Sequence, residues 1–322
     1  MNEPATPTSA TATPGAGAGS GSGPLRLGAG DTVAIVSPSG PPNAALLQRG
    51  VKLLEGLGLK VVLGRHVLDR EGYLAGTDAD RAADLQAAWC DPAVSAVFCS
   101  RGGYGAARIL DLLDWREMRA ASPKILLGSS DITALHHVFG VELGLPTLHG
   151  PMPACRPLSF EAEPEPVTWD HLRAALFATA PPPVTGDRVL REGRAQGVLA
   201  GGNLALLASL CGTRYQPSFA GRLVLLEDVG EQPYRIDRML TQLLQAGAFD
   251  GVRGIALGSW VECGDPYPVL AERLGPLGVP IIGGLTVGHG TPQRSVWLGA
   301  LGVIDTESCS LTGLLGGMEQ AV

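Results

Sequence analysis

Ile125-Leu-Leu-Gly-Ser-Ser-Asp-Ile-Thr-Ala-Leu135 passes from an apolar run through Gly128-Ser-Ser-Asp131 straight into a helical pattern. A strand that turns directly into a helix puts the junction at the carboxyl edge of a sheet. There the first N–H groups of the helix are free and its dipole end is positive. A hydroxyl projected from such an elbow can attack a carbonyl, and nearby amides, that of Asp131 among them, can receive the developing oxyanion. Ser and Asp are also favoured N-cap residues, and taken alone the text favours Ser129, Ser130 or Asp131 doing no more than cap the helix. The Gly-x-Ser-x-Gly text of ordinary α/β hydrolases is absent.

Strand-then-helix text repeats on the amino-terminal side of the elbow. Thr32 to Ser37 is a short β-branched run, followed by the loop Pro38-Ser-Gly-Pro-Pro42 and a helical pattern from Ala44 to Leu57. Lys60 to Leu63 and Val94 to Cys99 read as strands, Asp78 to Trp89 and Gly105 to Leu113 as helices. Strands apolar throughout and alternating with helices predict an α/β fold, a parallel sheet covered on both faces. The text from about Pro153 to Gly193 is Pro-rich and acidic, with a short helix at Trp169 to Phe177, and reads as a connection between domains. A second domain follows, with strands near Gln196, Leu223 to Leu226, Gly254 to Leu257 and Val279 to Ile282. Its other expected elements are a turn at Gly201-Gly202-Asn203 and helices at Leu204 to Leu210 and Tyr234 to Ala248. The expected division is a disordered tail over 1–24, a nucleophile domain over 25–155, a linker over 156–192 and a domain carrying acid and base over 193–322.

A serine is a weak nucleophile until a base takes its proton, and a basic imidazole needs a carboxylate to fix its tautomer. Two histidines lie just beyond strands, His149 in Leu148-His-Gly-Pro-Met152 and His289 in Gly288-His-Gly-Thr-Pro292. His289 is preferred, because a Gly-flanked loop of the second domain can face the elbow across a cleft. Glu227 and Asp228 end a buried strand, where a charge is costly unless paired; a solvated strand end or an ion pair with Arg235 or Arg238 is the structural alternative. Arg101-Gly-Gly-Tyr-Gly105 follows a strand and precedes a helix, and its glycines let backbone amides approach a ligand. It lacks both the P-loop ending and the dinucleotide spacing, so Gly102 and Gly103 are read first as an oxyanion or substrate-carboxylate loop, with a purely structural tight turn and, less readily, phosphate binding as the alternatives.

Composition narrows the classes. With 24 Lys and Arg against 31 Asp and Glu, the net charge of −7 argues against nucleic acid as a partner. The six cysteines form no CxxC pair and read as reduced thiols. The first 24 residues are Ala, Thr, Ser, Gly and Pro with hardly a charge, a composition expected to be disordered, and they lack the pattern of a secretory signal. No apolar run reaches the roughly 20 residues of a membrane helix, so no membrane partner and a cytoplasmic location are expected.

Taken together, V-A-I-V-S-P-S-G, S-R-G-G-Y-G, G-S-S-D-I-T-A-L, L-H-G-P-M, L-E-D-V-G-E-Q-P-Y-R-I-D-R-M-L and G-H-G occur in an order and spacing that resembles the LD-carboxypeptidase family of serine peptidases, over nearly all of residues 31 to 305. The family also holds the microcin C self-immunity peptidases. The resemblance implies Ser130 as nucleophile, Glu227 as orienting acid, His289 as general base, and the Gly103 and Asp131 amides as oxyanion hole. It implies a flavodoxin-like first domain, similar to the class I glutamine amidotransferase fold, and a smaller swivelling β/β/α domain. A homodimer is implied, with no metal or other cofactor. The expected activity is hydrolysis of the bond between an L-configured centre and a terminal D-alanine in cytoplasmic muropeptides, as part of peptidoglycan recycling. Two departures bear on substrate preference: Ser129 stands where many relatives have an aromatic residue, and Thr291-Pro-Gln-Arg-Ser295 differs from the more usual text after the histidine. The rival expectations are an amidase of aminoacyl-nucleotide conjugates and a catalytically silent two-lobed binding protein.

Overall fold

The computed structural model describes residues 25–161, 163–178 and 182–314; the tail expected over 1–24 lies outside the described residues. Five parallel strands, β1 (Thr32–Val36), β2 (Lys60–Leu63), β3 (Ala96–Cys99), β4 (Ile125–Gly128) and β5 (Thr147–His149), form the first sheet. Their order is β5-β4-β3-β1-β2, and the antiparallel β12 (Val296–Leu298) closes the β5 edge. β3 and β4 are buried at every position, which is why they read as unbroken apolar runs. The pleat sends alternate residues to opposite faces. Val97, Cys99 and Leu126 meet α2 (Asp78–Cys90), α3 (Trp115–Ala120) and α4 (Thr133–Glu142). Ala96, Phe98, Ile125 and Leu127 meet α1 (Ala44–Glu55), α5 (Arg156–Ser159) and α6 (Pro166–Phe177). The order reverses between β1 and β3, and in open α/β sheets ligands bind at the carboxyl ends of strands flanking that point.

The segment 156–192, read from sequence as a connection, carries α5 and α6, and Leu172, Ala175 and Leu176 of α6 are buried in the core under β1. The second sheet runs β6-β14-β13-β8-β9-β10-β11-β7. Its strands are β6 (Val184–Thr185), β7 (Arg188–Arg191), β8 (Arg194–Asn203), β9 (Arg222–Val229), β10 (Gly254–Val261), β11 (Ile281–Gly283), β13 (Leu301–Asp305) and β14 (Ser310–Leu314). The β8 to β11 core is parallel and the flanks are antiparallel. Helices α7 (Leu204–Ser209), α8 (Pro233–Gln245) and α9 (Tyr267–Leu274) cover one face, with Ile236, Leu240 and Leu270 packed on Val224, Leu226 and Ile255. Several contacts join the halves close to the elbow. β12 pairs with β5 through Val296 and His149, and the Asn203 N–H donates to Thr133 Oγ1 on α4 at 3.0 Å.

Two sequence expectations are corrected. Gly201-Gly202-Asn203 is no turn but the end of β8, paired with Leu225 to Glu227 of β9. A Cβ on Gly201 would lie 2.8 Å from the Leu225 nitrogen and one on Gly202 2.6 Å from Thr133 Oγ1, so these glycines serve close approach and not chain reversal. Gly105 to Leu113 is no helix but a single 3-10 turn, Ala106–Ile109, because Gly105 at φ 120° breaks the helical path and the Ala106 N–H is taken by Asp131. All six cysteines are free. Among the described residues no helix is long and apolar enough to cross a membrane.

Candidate active site

The elbow is real and strained. Ser129 is extended at φ −158°, and Ser130 lies in the left-handed region at φ 62°, which a non-glycine residue enters only when its surroundings hold it there. Neither Ser129 nor Ile132 makes a side-chain cap, so the capping alternative does not describe this junction. The missing second glycine of the hydrolase spacing is explained by packing. Gly128 precedes the serine by two, and a Cβ there would lie 2.6 Å from Ile132 Cγ2, so the residue two beyond the serine fills the space that glycine leaves. Gly102 is needed in turn by Ser130: its Cβ would fall 2.8 Å from the serine Cβ.

Asp131 points away from the cleft and ties three loops together. Its Oδ2 accepts from Ser39 Oγ in the loop after β1 and from the Ala106 N–H after β3, the latter at 2.8 Å. Burial pushes its pKa up against the pull of those two bonds. Ser39 was read only as loop; its Pro-Ser-Gly setting beyond a strand at the switch point was the available signal. The Gly102 N–H faces the Cys155 sulfur, and the Gly102 carbonyl accepts from Gly40 N at 3.3 Å and from Arg101 Nε at 3.1 Å. Neither the Gly103 nor the Asp131 amide has an acceptor among the described residues.

The other half of the site comes from the second sheet. Glu227 and Asp228 end β9, and their side chains leave on opposite faces as strand geometry requires. Asp228 turns to α7, accepting from Asn203 Nδ2 at 2.8 Å and from the Ala205 N–H at 2.9 Å; burial, with Glu227 beside it, raises its pKa to about 6. Glu227 is fully buried and turns to the loop after β11, where its Oε2 accepts from both the His289 main-chain N–H at 3.0 Å and His289 Nδ1 at 2.7 Å. It does not pair with Arg235, which meets Glu231 at 3.7 Å. Gly288, at φ 105°, permits this contact, since a Cβ there would lie 2.6 Å from the Glu227 carboxyl carbon. Sequence reading passed over Gly288 as a mere flanking residue.

His289 Nε2 lies 3.1 Å from Ser130 Oγ. Since Nδ1 donates to a carboxylate, Nε2 carries the lone pair and accepts the serine proton, the relation that makes a serine reactive. Burial alone would lower the His289 pKa, but the charge and hydrogen bond of Glu227, with Asp228 adding, hold it above its ordinary 6.5. Burial would raise that of Glu227, and the charge and bond of His289 bring it below its ordinary value. The structure thus brings Ser130, His289 and Glu227 together, with Gly102 and the Asp131 main chain at the serine and Gly103, the next residue, against Gly40. His149 does not touch Ser130; it lies fully buried beneath them.

The comparisons with known proteins agree in order along the chain. Residues 33–150 match the model of the LD-carboxypeptidase N-terminal domain and residues 196–304 that of the C-terminal domain. A Streptomyces coelicolor protein assigned to the carboxypeptidases by name is 52% identical over 90% of this chain and 95% of its own length. The murein tetrapeptide carboxypeptidase of Pseudomonas aeruginosa is 36% identical over 85% of this chain and 92% of its own. A solved structure of the microcin C7 self-immunity protein MccF with glutamyl sulfamoyl guanosine superposes with a TM-score of 0.80 at 25% identity, covering 90% of this chain and 98% of that one. From these matches and the α/β architecture that carries them, the chain belongs to the LD-carboxypeptidase family of serine-type carboxypeptidase hydrolases.

Proposed function

We propose that this chain releases the terminal D-alanine from cytoplasmic muropeptides by hydrolysing the L,D-peptide bond, with residues 25–155 supplying the nucleophile Ser130 and residues 193–322 supplying the base His289 and the acid Glu227. The observation that carries the reading is the unbroken path from Ser130 Oγ to His289 Nε2 at 3.1 Å and from His289 Nδ1 to Glu227 at 2.7 Å. His289 takes the hydroxyl proton as Oγ attacks the scissile carbonyl carbon. The oxyanion settles on the Gly103 and Asp131 amides, and His289 then gives its proton to the departing alanine nitrogen. Water enters by the same base and releases the shortened peptide. A homodimer acting in peptidoglycan recycling, without a metal, accords with the family resemblance and with the murein substrate named for the Pseudomonas relative.

The base works only when neutral. Because Glu227 holds the imidazolium, kcat/KM should rise with pH along a limb centred above 6.5. A pH–rate profile with that limb below 6.5 would contradict the assignment.

A carboxypeptidase must hold a carboxylate within a few ångströms of the scissile carbon. We assign that role to Arg101, which is exposed, has no carboxylate partner among the described residues and precedes Gly102, the residue against the serine. Arg101→Gln should lower kcat/KM for an L-alanyl-γ-D-glutamyl-meso-diaminopimelyl-D-alanine tetrapeptide roughly ten- to a hundredfold, and leave its C-terminal amide little affected, as loss of a charged hydrogen bond implies.

One observation favours a second reading. Tyr73 and Tyr104 meet edge to face at 5.6 Å, both more than half exposed, beside Gly103 and Arg101. Such rings can carry a flat base, and the MccF structure holds a sulfamoyl nucleoside. Assaying the tetrapeptide beside a glutamyl sulfamoyl adenosine decides: D-alanine release supports the murein reading, and cleavage of the sulfamoyl conjugate alone overturns it.

A further inference from the structure

His289 belongs to a loop that both halves of the molecule hold. The loop runs from β11 to β12 and is closed on itself where Val287 bridges Arg294 and the Arg294 N–H donates to the Thr286 carbonyl at 2.7 Å. The second sheet holds its near arm, since the Ser259 N–H donates to the Val287 carbonyl at 2.8 Å and Glu227 takes the His289 N–H at 3.0 Å. Its far arm is held from the other half. The Gln293 N–H donates to Thr168 Oγ1 at 2.8 Å and the Ser295 N–H donates to His171 Nδ1 at 3.2 Å. Both acceptors stand on α6, in the segment that reads from sequence as a connection.

Two periods meet in these bonds. Alternate N–H groups of an extended arm point the same way, and side chains three apart lie on one face of a helix, so positions 293 and 295 fit positions 168 and 171. The Arg294 N–H between them points the other way, to Thr286. Thr168 is 0% exposed and His171 5%, and each is fixed as an acceptor by a further bond. The Thr168 hydroxyl donates to Glu165 Oε2, which leaves its oxygen to receive Gln293. His171 Nε2 lies 3.2 Å from the Pro182 carbonyl and so carries the hydrogen, which leaves Nδ1 to accept. Burial lowers the His171 pKa, against the Pro182 carbonyl and with Arg294 adding, in keeping with a neutral ring. The helix is itself anchored: Leu172, Ala175 and Leu176 seat it in the core of the half that carries Ser130. A third bond comes closer still to the nucleophile, where Gln293 Nε2 donates to Ser129 Oγ at 3.4 Å.

We propose that Thr168 and His171 are positioning residues for the reaction: by holding the main chain at Gln293 and Ser295 they keep His289 at hydrogen-bonding distance from Ser130. This rests on the triad reading above. Nucleophile and base come from different halves, and a general base works only within reach of the proton it takes. Glu227 fixes the imidazole relative to the second sheet. The α6 bonds refer the same loop to the half that carries the serine, and they do so nearer the base than the pairing of β12 with β5, which begins at Val296. Misplacing reacting groups by about 1 Å can cost on the order of a hundredfold in rate, so the brace bears on turnover directly.

Thr168→Val keeps the shape of the side chain, removes its oxygen and leaves the buried Gln293 N–H without an acceptor. It should lower kcat for the tetrapeptide roughly ten- to a hundredfold with KM little changed, because the brace acts on the base and not on the substrate. Thr168→Ser, which keeps the hydroxyl, should restore kcat. His171→Leu and His171→Asn should behave as the same pair, since the asparagine Oδ1 can accept where Nδ1 did. A readout that needs no substrate is the 15N NMR resonance of His289 Nε2 in the full chain. It should move in the valine and leucine variants, as the bond from Ser130 is lost, and return in the serine and asparagine ones. Folded valine and leucine variants in which that resonance stays put, or in which kcat does not fall, overturn the proposal. Failure of both to fold overturns it too, because α6 would then serve stability alone. A wild-type chain that releases no D-alanine sinks the proposed function, yet leaves the resonance to decide the role of Thr168 and His171.

Discussion

Ser130→Ala will lower kcat for tetrapeptide hydrolysis by roughly 10^4- to 10^6-fold, the loss expected when the nucleophile of a triad is removed and only binding and the oxyanion donors remain. Among the described residues the hydroxyl's only hydrogen bond goes to His289. Its deletion therefore frees no buried group elsewhere. Alanine at φ 62° bears the same backbone strain as serine, so the melting temperature should hold and stability should change by no more than about 0.5 kcal/mol. D-alanine release and a melting curve on the same sample separate lost chemistry from lost fold. Retained turnover in a folded variant would remove Ser130 from the mechanism.

Glu227→Gln should cost kcat about 10^3- to 10^4-fold, by a different route. The amide fits the same buried volume, and its oxygen can still accept from the His289 main-chain N–H and from Nδ1. What disappears is the negative charge that stabilises the imidazolium formed as Ser130 attacks. With that charge gone, burial dominates at His289 and its pKa falls, so the acidic limb of kcat/KM should move to lower pH even as the maximum collapses. Because the bonds and charge of His289 hold the Glu227 pKa below its ordinary value, the ionised carboxylate stabilises the fold at neutral pH, so the variant should fold but melt somewhat lower than the parent. Alanine at 227 would confound this, since it leaves a cavity and an unpaired His289 amide. An unshifted limb with near-normal kcat would mean that Glu227 only packs.

The fold was legible where burial is two-sided. β3 and β4, covered on both faces, can only be written in apolar residues, and helices with one buried face announce themselves by period. It was illegible where one residue type serves two geometries. Gly201 and Gly202 permit a turn and a close strand crossing equally well, and only the positions of Leu225 and Thr133, distant in sequence, decide between them. The short outer strands β6, β7 and β14, of which β6 and β7 are the two edges, carry no strong period and were not foreseen.

At the site, the elbow was readable as a strand running into a helix, and both candidate histidines were marked by loops beyond strands. Which of them meets the serine was not, because Ser130 and His289 stand 159 residues apart and meet through contacts between the halves such as the pairing of β12 with β5. Nor could periodicity separate Glu227 from Asp228. They differ only in which face of β9 each leaves, which the register with β8 and β10 sets.

Rapid acid quench of the wild-type chain during tetrapeptide turnover, followed by mass mapping of its peptides, asks most directly whether these three side chains act as one unit. The geometry predicts a tripeptide acyl group on Ser130 in the wild type and none in a folded His289→Ala variant. D-alanine release with the acyl group on any other residue, or an adduct that forms equally well without His289, would contradict it.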